Sequence, residues 1–169
     1  LGFDLYCRII EQTVKEIKGQ PLDEEFYPQI DMQVSAHFPE DYIPDMKQRL
    51  EMYKRLMSSK DFAQLLDVEE EVRDRYGKLP RVAQNIVLLA ELKLIATQLR
   101  IAQIQAVDGT IILSFDESSP VTEPQIKRTI KRANKTIRQT SSGSLVIDVK
   151  RLKSAEKLSQ VKNILQSFR

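Results

Sequence analysis

DYIPDMKQRLEMYKRLMSSKDFAQLLDVEEEVRDRYGKLP, residues 41–80, reads as two helices joined by a tight turn. Pro44 is predicted at the first helical position, where its fixed φ and missing N–H cost nothing, with Asp45 beside it at the positive end of the helix dipole. Met46, Leu50, Tyr53 and Met57 recur at helical spacing and predict an apolar face; Lys47, Arg49, Lys54 and Arg55 fall on the other. Residues 58–61, SSKD, break the pattern and offer caps for a second start. Phe62, Leu65, Leu66, Val68, Val72 and Tyr76 then predict a buried stripe, and Gly77 the left-handed stop. At about 100° per residue, Asp67, Glu70, Glu71 and Asp74 fall together on the opposite side with no base among them. Like charges so spaced cost about a few tenths of a kcal/mol per pair, and the core does not require them. The ridge is either a solvated face or a docking surface for a basic partner.

Upstream, residues 2–18 read as a helix with Phe3, Tyr6, Ile9, Ile10, Thr13 and Ile17 near one face and Gly19 as its stop. Residues 20–25 then look like a linker, which places a boundary between a helix and linker at 1–25 and a domain at 26–169. The chain begins inside a helical pattern and reads as a fragment of something longer. Residues 30–38 alternate Ile30, Met32, Val34, Ala36 and Phe38 with polar side chains, the signature of a half-buried strand ended by Pro39.

Downstream, Pro80 opens a helix whose Val82, Ala83, Ile86, Val87, Leu89, Ala90, Ile95 and Leu99 make it apolar around much of its circumference, as a central element would be. Residues 101–107 and 110–115 are β-prone runs separated by Asp108-Gly109, the dipeptide of a type I′ hairpin. Thr122 with Gln125 three residues on predicts a capping box. Ile126, Ile130, Ala133 and Ile137 are expected to face inward along that helix, and Lys127, Arg128, Lys131, Arg132, Lys135 and Arg138 outward. Residues 145–149 read as a buried strand, and Ser154 as the cap of a last helix with Leu158, Val161, Leu165 and Phe168 inward. The expected class is α+β, a mixed or antiparallel sheet of about four strands packed with a helical cluster, because helices crowd together after the first strand.

The formal charge of +2 conceals an asymmetry. Residues 120–169 hold 12 Lys+Arg against 3 Asp+Glu, which leaves residues 1–119 with 14 against 21. An acidic front and a basic tail imply electrostatic contacts, internal or external. The basic segment 127–138 is accordingly a candidate nucleic-acid contact through Lys127, Arg128, Lys131 and Arg138, with a solvated face as the competing reading. No apolar run approaches the roughly 20 residues that cross a bilayer, and a single cysteine, Cys7, excludes an internal disulfide and fits a reducing cytoplasm.

Catalytic chemistry has little to stand on. The five glycines sit at element ends and turns, leaving none for a phosphate cradle, and neither G-x-x-x-x-G-K-[ST] nor G-x-G-x-x-G occurs. The single His37, on the polar side of the first predicted strand, cannot build a zinc site with one cysteine. No catalytic residue, cofactor or metal is expected in this chain.

Four blocks in order carry a resemblance: GFDLY at 2–6, DYIPD at 41–45, RLEMYKRL at 49–56 and EEVRDRYGKLP at 70–80. They are similar to the C-terminal part of bacterial transcription-repair coupling factors, over about half the chain; after Gln103 the likeness is one of layout only. The resemblance implies a small regulatory domain without the ATP site, following a DNA-translocase motor that uses ATP and Mg. It implies a role in which this domain folds back on an N-terminal module resembling the repair protein UvrB, hiding the surface that binds UvrA until the motor engages stalled RNA polymerase. By that resemblance Glu71 and Asp74, in the E-x-x-D-R-[FY]-G block, carry the masking contact, flanked by Glu70 and Asp67. Two departures stand out. Arg100 occupies a position where the family often has a helix-ending glycine, so that helix is expected to end differently, and Tyr76 replaces a common Phe and adds a hydroxyl to satisfy.

Overall fold

The computed structural model describes residues 26–133 and 135–169. The predicted helix at 2–18, Cys7 on it and the linker to residue 25 lie outside the described residues. In chain order come β1 (Gln29–Asp31), α1 (Met46–Met57), α2 (Phe62–Tyr76), α3 (Arg81–Gln98), β2 (Ile101–Val107), β3 (Thr110–Phe115), α4 (Glu123–Arg132), β4 (Ile137–Gln139), β5 (Leu145–Asp148) and α5 (Ser154–Gln166).

Asp108 and Gly109 both take positive φ, 47° and 75°, so the β2–β3 hairpin closes through the turn that this dipeptide favours. The sheet grows outward from it in the order β1-β2-β3-β5-β4. β1 pairs with β2 in parallel, Ile30 opposite Ile104, while the remaining pairs are antiparallel. A parallel neighbour requires a crossover, and residues 32–100 supply it with α1, α2 and α3. The result is a mixed sheet in an α+β fold, with five strands rather than about four.

α3 joins two cores. Its C-terminal half, with Leu92, Ile95, Ala96 and Leu99, packs among Ile104, Ile111, Leu113, Leu145 and Ile147 of the sheet and Leu158, Val161 and Leu165 of α5. Its N-terminal half, with Ala83, Ile86, Val87 and Ala90, packs among Met52 and Leu56 of α1 and Leu65, Val68 and Val72 of α2. A helix serving both must be apolar nearly all round, which is how its sequence reads. Lys162 on α5 donates to Glu91 on α3 at 2.6 Å and fixes their relative rotation. None of the helices among the described residues is long and apolar enough to cross a membrane.

Several boundaries and faces differ from expectation. α1 starts at Met46, not Pro44, because Asp45 takes the N-cap and its carboxylate accepts from Gln48 N at 2.8 Å. Its buried side chains are Met52, Tyr53 and Leu56; Met46 and Leu50 are 66% and 36% exposed, so the apolar face lies to one side of the predicted one. Leu66 on α2 is 50% exposed, while Leu65, Val68 and Val72 are buried.

The strand predicted at 30–38 pairs only through Asp31. Gln33 takes φ of 50°, which turns the backbone away from β2. The alternation of burial nevertheless continues to Phe38, since the segment runs extended against α3: His37 N donates to Val82 O, and Asn85 Nδ2 donates to Ser35 O at 2.8 Å. Phe38 ends in an aromatic cluster, its N–H donating to the Tyr53 hydroxyl and its ring 4.8 Å from that of Tyr53. His37 is exposed.

α4 ends at Arg132 instead of running on to Arg138. The chain turns through Lys135 at φ 68° and Ile137 enters β4 opposite Ile147. At the start of α4 the Gln125 side chain accepts from Thr122 N at 2.8 Å, as the capping spacing predicts. α5 has Lys153 rather than Ser154 at its N-cap, the Lys153 N–H donating to Glu156 at 2.6 Å. Contrary to expectation, α3 keeps the ending a glycine would provide: Arg100 adopts φ 52°, its guanidinium 4.9 Å from the Phe26 ring centroid.

Candidate functional site

α2 is built to turn one side outward. Asp61 caps it, accepting from Gln64 N at 2.8 Å, and Gly77 at φ 84° ends it with its N–H on Arg73 O at 2.8 Å. Between these stops Leu65, Val68 and Val72 bind the helix to α1 and α3, which fixes its rotation and leaves Asp67, Glu70 and Asp74 exposed. None of those three carboxylates has an ion-pair partner among the described residues.

Glu71 is different, and the expectation that no base reaches the ridge fails here. Arg55 of α1 donates to its Oε2 at 2.6 Å and Arg75 to its Oε1 at 3.0 Å. The Arg55 hydrogen bond holds the Glu71 carboxyl below its ordinary range, against some desolvation. Glu71 therefore ties α1 to α2, with a side chain still 34% exposed. Arg75 lies one turn beyond Glu71, so helical geometry could have found the nearer pair; Arg55 lies on another helix, and no local signal points to it.

Leu66 was expected in the stripe and stands instead on the outer side, one turn before Glu70. The ridge thus has an apolar side chain among its carboxylates, the mixture that interfaces use to exclude water around charge. Tyr76 closes the far end of the helix pair, its hydroxyl donating to Gln48 Oε1 at 2.6 Å, so the extra hydroxyl is satisfied.

On the inner side, a groove of about 480 Å³ lies between α2 and α3. Two of its carboxylates, Glu69 and Glu91, are each held by a cation, Arg73 at 2.6 Å and Lys162 at 2.6 Å. Acid–base chemistry calls for carboxyl groups in contrasting environments with a proton to exchange, and these are matched ion pairs. Among the described residues no three His, Cys, Asp or Glu converge as metal ligands.

The predicted basic segment is split between two elements. Lys127, Arg128, Lys131 and Arg132 are exposed on α4, opposite buried Ile126 and Thr129, while Lys135 lies in the turn and Arg138 on β4, both exposed. Lys127 has Glu123 at 3.4 Å; the other five have no ion-pair partner among the described residues.

Fold and surface define the class: a two-core α+β domain in which, among the described residues, the carboxylates of the α2–α3 groove are held by cations and the unpaired charges of α2 and α4 face outward. Residues 32–126 match the TRCF domain family, and the chain belongs to that family. It is 32% identical over 120 residues to the transcription-repair-coupling factor of Bacillus subtilis, covering 70% of this chain and 10% of that protein. Identity with the Myxococcus xanthus protein of the same name is 26% over 169 residues, 99% of this chain and 14% of the relative. The chain thus spans about a tenth to a seventh of the length of these relatives. A crystal structure of the C-terminal domain of a transcription-repair coupling factor shares the fold, with a TM-score of 0.72 at 22% identity, over 88% of this chain and 95% of that one.

Proposed function

We propose that this chain is a non-catalytic docking domain of a transcription-repair coupling factor. Its α2 ridge holds an N-terminal UvrB-like module of the same protein and so masks the surface that would recruit UvrA. In this reading the latch also restrains an ATP-dependent DNA translocase until it engages stalled RNA polymerase. The observation that carries it is the set of three exposed carboxylates, Asp67, Glu70 and Asp74, that have no ion-pair partner among the described residues, around exposed Leu66 on a helix whose rotation is fixed by its buried side. An arginine-bearing surface would pair with such carboxylates bidentately, and Leu66 would shield the pairs from water. Glu71 supports the ridge from beneath through Arg55.

Truncating one member of a desolvated ion pair costs roughly 2–5 kcal/mol, enough to open a modest interface. The test mixes this chain with the isolated N-terminal module at moderate salt and follows binding by calorimetry. Expected is a complex lost in the Asp67→Ala, Glu70→Ala, Asp74→Ala variant. Absence of binding, or binding indifferent to those substitutions, sinks the ridge as the docking surface.

A further inference from the structure

The basic tail invites a separate reading, because most of its cations have no ion-pair partner among the described residues. Of the cations in residues 120–169, only Lys162 pairs with the acidic front among the described residues, on Glu91. Arg128, Lys131, Arg132, Lys135 and Arg138 are exposed and have no carboxylate within ion-pair distance among the described residues. They are also held in place. The buried side of α4 fixes the helix: Ile126 enters the sheet core, Thr129 Oγ1 lies 3.1 Å from Ser167 Oγ, and Gln125 Nε2 donates to Phe168 O at 3.0 Å. Arg138 is carried by β4, the outermost strand of the sheet, and is paired in register with Val146. Arg128, Lys131, Arg132 and Lys135 form one strip, along the outer side of α4 and into the turn that follows it; Arg138 alternates with Ile137, which enters the core, and so stands on the other face of the sheet.

We propose that this strip binds the phosphate backbone of duplex DNA. α4, ten residues long, spans about 15 Å, comparable to roughly four phosphates of one strand at 3.4 Å rise. An acidic protein partner fits less well, since protein interfaces centre on apolar or aromatic anchors and the exposed large hydrophobic side chains among the described residues, Met46, Leu50 and Leu66, are all on α1 and α2. A single strand fits less well too, because no aromatic side chain is interleaved among the five cations for bases to stack on. What remains is backbone recognition, independent of base sequence and governed by counterion release. The strip lies on the outer side of α4, which packs on the sheet core, whereas the proposed masking ridge is on α2, which packs on the helical core, so the two surfaces can be disabled separately.

Fluorescence anisotropy of the 169-residue chain with a labelled 20-base-pair duplex between about 50 and 200 mM KCl tests it. Four phosphate contacts predict a slope of log K against log salt of about −3.6, an affinity loss of roughly 150-fold across that range. The variant Lys131→Gln, Arg132→Gln, Lys135→Gln is expected to lower the slope to about −1 with an unchanged melting temperature, since all three side chains are exposed. The Asp67→Asn, Glu70→Gln, Asp74→Asn variant is expected to keep the full slope; loss of its module binding reports on the masking reading alone. No anisotropy change at 50 mM salt overturns the proposal. So does a slope that the three glutamines leave intact, or capture of poly-glutamate in place of duplex.

Discussion

Arg55 on α1 donates from Nη2 to Oε2 of Glu71 on α2 at 2.6 Å, and Arg75 takes the other oxygen at 3.0 Å, so Glu71 is committed to the helix pair while its neighbours on the ridge are not. Stability and docking should therefore separate along this one helix. Glu71→Ala is expected to lower the melting temperature, because it leaves Arg55 without its carboxylate at a helix–helix contact. Asp74→Ala and Asp67→Ala are expected to leave the melting temperature unchanged while weakening any complex made through the ridge. Thermal melts of the three variants beside the binding assay check this.

The same pair gives a pH dependence with a definite sign. The Glu71 carboxyl titrates below its ordinary value of 4.5 in the folded chain, chiefly because of the Arg55 hydrogen bond, and returns to it on unfolding. The unfolded chain thus binds the proton first, so the contribution is full above the ordinary glutamate range and is lost as pH falls through the lower folded value. Urea denaturation between about pH 6 and pH 3 should show a shallower fall in stability for Glu71→Gln than for the parent chain.

Leu65 and Leu66 are adjacent in sequence and opposite in environment, 3% against 50% exposed. Leu65→Ala is expected to cost about 2–5 kcal/mol by opening a cavity between α1 and α2. Leu66→Ala is expected to stay within roughly 0.5 kcal/mol, as a surface substitution does. Chemical denaturation of the two variants distinguishes this orientation of α2 from the one in which both leucines are core.

Arg100 ends α3 in the left-handed region at φ 52°. A β-branched side chain there clashes with its own backbone, so Arg100→Val is expected to cost about 1–2 kcal/mol, whereas Arg100→Asn, tolerant of that conformation, should change stability by less than roughly 1 kcal/mol. Equilibrium unfolding of both variants is the measurement.

Gly109 combines φ of 75° with a close approach: a β-carbon built there would lie 2.5 Å from Lys150 Cγ. Gly109→Ala is expected to destabilise the hairpin by about 1–2 kcal/mol from backbone strain, plus a smaller steric part. Only the steric part should be recovered in the Lys150→Ala background, which a double-mutant cycle resolves.

Where local chemistry names a conformation, the residues alone locate it. Asp108-Gly109 turns the hairpin, Gly77 and Gly143 take positive φ, Gln125 caps Thr122, and Leu158, Val161, Leu165 and Phe168 are buried along α5. Misreadings arise where two structures share one burial pattern. Ile137 continues the helical spacing of Ile126, Ile130 and Ala133, yet it is buried as part of β4, because β5 would otherwise present its unpaired edge and the backbone of 137–139 satisfies it. Residues 30–38 bury alternate side chains as a strand does, but past Asp31 their partner is α3, with Asn85 and Val82 taking the place of a ladder.

For the candidate site, periodicity was sufficient to gather Asp67, Glu70, Glu71 and Asp74 on one side of a helix, since 100° per residue is a property of the backbone. Which of the four is already engaged depends on Arg55, sixteen residues away on another helix, and on how α1 and α2 pack. The amino-acid sequence by itself determined the α+β class, the hairpin, the stop of α2 at Gly77, the surplus of acid on α2 and of base after residue 120, and the blocks that mark the family. Only the tertiary structure decided that Glu71 braces the helix pair, that Leu66 faces outward, and that Arg138 is carried by a strand rather than by α4, because these depend on helix rotation and strand pairing, which are set by contacts far apart in the chain.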